Sequence, residues 1–184
     1  MIRISKIGQV TADDILIRNT ATADVSEAVS EIISDVRENG DTALYRYCEK
    51  FDNARLDTLE VSEEEINRAF EQIDGELLDI LYTAKENIEA FHRRQITNSF
   101  VINDKPGIVL GQKVMPLAKA GVYVPGGTAS YPSTVLMDCI PAKIAGVEEL
   151  IMVTPSKDGV IAPTRLVAAK IAGVDRIFKV GGAQ

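Results

Sequence analysis

Apolar residues recur at helical spacing through the first hundred positions and then change rhythm. Val25, Ala28, Val29, Ile32, Ile33 and Val36 form one stripe of a helix predicted over residues 24–39. Asp24 stands where a cap belongs, and Asn39-Gly40 ends the helix because glycine accepts the left-handed conformation that follows a last turn. Asp41 is placed to cap a second short helix to about Phe51, with Leu44, Tyr47, Cys48 and Phe51 facing inward. Ser62 followed three residues later by Glu65 is a capping box, and it opens a third helix to about Gln72. Leu77, Leu78, Leu81, Ala84, Ile88 and Phe91 then carry a long helix from about Gly75 to Gln95. Residues 99–103 and 107–115 read as strands, joined by a turn at Lys105-Pro106-Gly107.

From Lys119 the pattern becomes short apolar runs alternating with helical stretches. Ala120-Gly121-Val122-Tyr123-Val124 is a buried-strand pattern, and Pro125 to Pro132 is a loop. Ser133 can cap a helix through about Ala145, and Glu149 to Thr154 is a second strand. A helix from about Val160 to Ile171, ended by Gly173, leads to a third strand over Arg176 to Val180. Alternation at ~25–30 residues per unit is the mark of a parallel sheet, with right-handed crossovers placing both helices on one face. The expected architecture is α/β. A mainly helical region with a small β element spans 1–118, and an incomplete Rossmann-like parallel β-α-β-α-β unit spans 119–184. The last strand turns where a third helix is due. The sheet is therefore expected to expose an edge and a face, and the sequence to be cut short or completed by something outside it.

Composition narrows the function classes. Twenty basic against 27 acidic residues give a net charge of −7. That balance argues against non-specific binding to nucleic acid or to an anionic membrane. No apolar run approaches the ~20 residues of a membrane-spanning helix, and the opening Met1 to Lys6 has no secretory pattern. Cys48 and Cys139, far apart in unlike contexts, point to reduced thiols in a cytoplasmic protein. His92 is the only histidine, so a histidine-rich zinc site is excluded. Its neighbours Arg93 and Arg94 close a helical pattern and complement the dipole there. Glu63, Glu64 and Glu65 sit at a helix start, as solvated capping carboxylates rather than an acid/base pair.

Open parallel sheets bind ligands beyond the carboxyl ends of their strands. Three segments are expected there: Tyr123 to Pro132, Thr154 to Asp158, and Gly181 to Gln184. Gly126-Gly127 permits close approach of backbone to a ligand, and the helix start near Ser133 offers amide donors to a phosphate. The run is not a G-x-G-x-x-G fingerprint, and no acidic residue closes the second strand as a ribose ligand. Residue types alone leave two readings: a nucleotide site, or a glycine turn that lets helix and strand pack.

Several ordered motifs nevertheless resemble one family. Gly121-Val122-Tyr123-Val124-Pro125-Gly126-Gly127-Thr128-Ala129 followed by Tyr131-Pro132-Ser133-Thr134-Val135-Leu136-Met137 is similar to the nucleotide-domain opening of histidinol dehydrogenases. Ile140 to Val147, Val180 to Gln184, Val36 to Leu44, Phe51-Asp52 and Asn87 to His92 fit the same family. The resemblance implies oxidation of L-histidinol to L-histidine through the aldehyde, with two NAD⁺ and one zinc ion per site. It implies a homodimer in which each subunit completes the other's site. It assigns NAD contacts to Tyr123 and Gln184. It assigns neither catalytic residues nor zinc ligands to these positions, since the family carries both in a further stretch of chain, so this chain alone is expected to be inactive. The competing expectations are a stand-alone nucleotide-binding or interaction module, and an NAD(P)-dependent dehydrogenase of another substrate.

Overall fold

A computed structural model describes residues 6, 8–11, 25–126 and 130–183. Four helices come first: α1 (Ser26–Asn39), α2 (Asp41–Asp52), α3 (Glu63–Gln72) and α4 (Gly75–His92), the last running into a short 3₁₀ turn, Arg93–Gln95. An antiparallel hairpin follows, β1 (Phe100–Lys105) and β2 (Ile108–Gln112). Then come β3 (Lys119–Tyr123), α5 (Pro132–Ile144), β4 (Glu149–Val153), α6 (Pro163–Ala172) and β5 (Arg176–Phe178). The last three strands form a parallel sheet in the order β3-β4-β5. This is the α/β architecture the alternation implies.

The sheet and its crossover helices hold the main core. Leu150 and Met152 of β4 and Ile177 of β5 are buried against Val135, Leu136, Cys139 and Ile140 of α5 and Leu166 to Ala169 of α6. Helices α3 and α4 pack on the outside of α5 and α6, adding Ile66, Ala69 and Leu81 to the same core. The capping box forms as expected. The Glu65 amide donates to Ser62 Oγ at 3.2 Å, and the Ser62 amide donates to Glu65 Oε2 at 3.0 Å. Gly173, at φ 83°, closes α6.

Several expectations are corrected by packing. The edge of β5 is covered, because residues 59–61 run antiparallel beside it, whereas β3 has no strand on its outer side among the described residues. The Val61 amide donates to Ile177 O at 2.9 Å and the Lys179 amide to Leu59 O at 2.7 Å. The second sheet face is partly covered too, since Cys48, Leu59 and Val180 bury together with Leu44, Tyr45, Val153 and Phe178 against them. The rest of that face carries charge, from Lys119 paired with Glu149 to Arg176 bonded by both arms to Glu60. The stripe of α1 is only partly covered among the described residues: Val25, Val29 and Ile33 are exposed, Ile32 and Val36 half-buried, and no residue of α1 is buried. Phe51 is exposed as well, stacked on Tyr47 at 5.6 Å. Asp24 lies outside the described residues, and Asp41 is the first residue of α2 rather than its cap. Ser133 also falls inside a first turn. Pro132 sets the start of α5, and Tyr131 takes the cap position in the left-handed region.

The hairpin stands apart from the core. Every residue of β1 and β2 is exposed, with Val101 at 73% and Val109 at 72%. Ser99 continues the pairing, donating to Val114 O and accepting from the Val114 amide. No helix among the described residues is long and apolar enough to cross a membrane.

Two outcomes follow from this packing. Lys179 is buried, and its ammonium reaches Glu65 at 2.6 Å. Burial pushes the Glu65 carboxyl up, but Lys179 and the Ser62 amide together hold it below its ordinary value of 4.5. Glu65→Gln should therefore cost about 2 kcal/mol in denaturant unfolding at neutral pH. Glu63→Gln, whose partner Lys170 is solvent-exposed, should cost less than about 0.5 kcal/mol. Because the folded value is the lower one, the Glu65 contribution is complete above 4.5 and is lost as pH falls below it through the folded value, so the two variants should converge in acid. The second outcome concerns the thiols. Cys139 is fully buried and its thiol is pushed up to about 12 by burial. The Cys48 thiol is pushed up by burial and by Asp52, and donates to Lys179 O. Neither should react with a disulfide reagent at pH 8 in the native protein, and both should titrate after unfolding.

Candidate functional site

The carboxyl ends of β3, β4 and β5 open into one cleft of about 870 Å³. Parallel register makes this convergence possible: Tyr123 pairs with Val153, and Val153 with Phe178, so all three strands end at the same level. Tyr123, Pro125, Gly126 and Ser130 line the cleft from the first segment, Pro155, Ser156 and Lys157 from the second, and Gly182 from the third. Those are the three segments expected at this edge. Asp52, Val160, Ala162 and Arg165 also line it, and periodicity alone does not single them out.

Close backbone packing around Pro155 builds the floor. A Cβ on Gly126 would lie 2.4 Å from Pro155 Cγ, and one on Gly181 would lie 2.2 Å from Pro155 Cβ. A Cβ on Gly182 would strike Phe51 at 2.2 Å. Real carbons do not approach so closely, so glycine here is a packing requirement that draws loops from three elements together. Gly126 thus packs against the loop after β4 rather than letting helix and strand pack.

A buried polar network holds the walls. Arg165 of α6 is 4% exposed. Its Nε donates to Ser130 O at 2.9 Å, and one terminal nitrogen donates to Thr154 Oγ1 at 2.9 Å and to Pro155 O at 3.4 Å. The fully buried Thr154 hydroxyl in turn donates to Val124 O at 2.7 Å. The loops after β3 and β4 are therefore tied to each other through one guanidinium. Burial pushes the Arg165 side chain below its ordinary value, and the neighbouring Tyr123 opposes that shift.

One lining group is unspent. Ser156 is 4% exposed, and its Oγ has no hydrogen-bond partner among the described residues. A buried hydroxyl without a partner costs free energy, and a polar ligand in the cleft would satisfy it. Glycine-lined backbone, an unspent hydroxyl and two cations, Lys157 and Arg165, fit a nucleotide. Tyr123 lines the cleft; Gln184 lies outside the described residues. No histidine or cysteine is among the cleft's lining residues. His92 is remote in role, its Nδ1 sharing a 2.6 Å hydrogen bond with Gln95 Oε1. Among the described residues no three His, Cys, Asp or Glu side chains come together as a metal site. The described lining residues can bind and orient a polar ligand.

Comparison with known proteins gives the family. A family model described as histidinol dehydrogenase matches residues 17–184. A histidinol dehydrogenase of Clostridium acetobutylicum is 52% identical over 163 residues, covering 88% of this chain and 38% of the relative. One of Methanosarcina mazei is 48% identical over 184 residues, covering 99% of this chain and 42% of the relative. The crystal structure of histidinol dehydrogenase from Elizabethkingia anophelis superposes with a TM-score of 0.84 at 36% identity, over 88% of this chain and 37% of that one. The chain thus spans about two fifths of the length of the curated relatives it matches. With a matching family model over most of its residues, close relatives along nearly all of it and a solved structure sharing its fold, the chain belongs to the histidinol dehydrogenase family.

Proposed function

We propose that this chain binds NAD⁺ in the carboxyl-edge cleft and supplies that binding unit to an enzyme oxidising L-histidinol to L-histidine in histidine biosynthesis. The observation that carries the reading is the meeting of three strand-end segments around Pro155, in a chain about half identical to proteins named histidinol dehydrogenase. Bound NAD⁺ supplies the hydride acceptor. The protein's own part is to hold it: Tyr123 and Gln184 as direct contacts, Ser156 through its unspent hydroxyl, and Lys157 and Arg165 through their charge. Zinc belongs to the complete enzyme in this proposal. The described residues do not form a site that fits it, and no step is assigned to it here. A homodimer in which each subunit completes the other's site is part of the same proposal.

The direct test is a thermal-shift titration of the 184-residue chain with NAD⁺. A ligand that binds only the native state stabilises it by mass action, so the midpoint should rise with concentration and saturate. No shift up to millimolar NAD⁺ would remove the reading. In the catalytically active enzyme, Tyr123→Phe and Gln184→Ala should each raise KM for NAD⁺ roughly two- to tenfold, as loss of one neutral hydrogen bond does. KM for histidinol should move less, and steady-state kinetics in both substrates reads the difference.

A further inference from the structure

Asp52 is an acidic residue in an unfavourable place. It is the last residue of α2, where the helix dipole disfavours an anion, and Asn53 beyond it turns into the left-handed region. Yet its side chain reaches across 130 positions of sequence to the third strand-end segment. Both carboxylate oxygens accept from the Gly182 amide, at 3.3 and 3.2 Å. A single shared N–H occupies a small part of the ~4 acceptor sites of a carboxylate. Asp52 lines the cleft together with Ser156. Gly181 lies between Asp52 and the loop that carries Ser156: a Cβ there would meet both Pro155, the residue before Ser156, and Asp52 Oδ2 at 2.8 Å. The cleft therefore holds a fixed carboxylate and a buried, unpartnered hydroxyl, with Lys157 and Arg165 also in its lining.

These groups select a ligand chemistry. A carboxylate repels a phosphate and accepts from two adjacent hydroxyls, as a vicinal diol presents them. The Ser156 hydroxyl, which lines the same cleft, can donate to an oxygen of such a ligand. The cations of the cleft suit the phosphates that flank a ribose. We infer that Asp52, with Ser156, receives the 2′,3′-diol of the adenosine ribose and makes the cleft selective for NAD⁺ over its 2′-phosphorylated form. In many dinucleotide folds an acidic residue after the second strand does this work; here it arrives from the helical segment instead. The inference rests on the dinucleotide reading of the cleft and adds to it the residue that sets cofactor choice.

Calorimetric titrations of the 184-residue chain decide it, using NAD⁺, NADP⁺ and NAD⁺ lacking the adenosine 2′-hydroxyl. The wild-type chain should bind NAD⁺ roughly tenfold or more tightly than either of the others, as expected for a lost hydrogen bond to a charged group. Asp52→Asn should bring the three affinities within about threefold of one another. Equal discrimination by wild type and a folded Asp52→Asn would overturn the inference and leave the dinucleotide reading intact. If the variant does not fold, the wild-type comparison stands by itself, and equal affinity for NAD⁺ and its 2′-deoxy form overturns the inference. Absence of saturable NAD⁺ binding by the wild type overturns both readings.

Discussion

Arg165 carries a positive charge into the interior, and the surrounding architecture meets it with backbone carbonyls and a threonine hydroxyl. A buried guanidinium is costly unless its donors are met in good geometry. Those donors are met by Ser130 O, Thr154 Oγ1 and Pro155 O, so the loops after β3 and β4 are held in the conformation that solvates the arginine. Thr154 extends the constraint to Val124 O, at the exit of the first strand. The walls of the cleft are thereby set before any ligand arrives. Preorganisation of this kind lowers the ordering cost of binding.

The helical segment is not a separate attachment to the sheet. Helices α3 and α4 bury residues in the core shared by sheet and crossover helices. Helix α2 covers part of the opposite face through Cys48 and Leu44, and delivers Asp52 to the cleft. Residues that precede the sheet thus back its crossover helices on one side and cover part of its open face on the other. The ion pairs repeat the pattern, with Glu60 on Arg176, Glu63 on Lys170 and Glu65 on Lys179.

Legibility of the fold from sequence followed the range of the interactions. The parallel unit was readable because Leu150-Ile151-Met152-Val153 is an unbroken apolar run and Gly173 stops a helix, both local signals. The capping box was readable because its two bonds lie within one turn. The meeting of the three strand ends at one edge was readable because parallel connectivity forces them to one side. Asp52 was not, since its partner is 130 positions away and nothing periodic marks the pair. The pairing of residues 59–61 with β5 was equally hidden, being too short to carry an alternation. Arg165 looks like any helical cation until its burial is known. The stripe on α1 is present in the sequence, but periodicity names a face and not the surface it meets.

The strand formed by residues 59–61 has a consequence for the order in which the chain is made. During synthesis those residues leave the ribosome long before β5, yet their partners are Ile177 and Lys179. Neither that edge nor the Cys48 cluster can close until almost the whole of these 184 residues has emerged. Local helices can form early, whereas contacts of large sequence separation must wait and are slow to find. The nascent chain therefore passes through a long interval in which helical hairpins exist without their sheet. The contacts of Gly181 and Gly182 with Pro155 and Asp52 join segments more than 25 and about 130 positions apart, so they too wait on late residues.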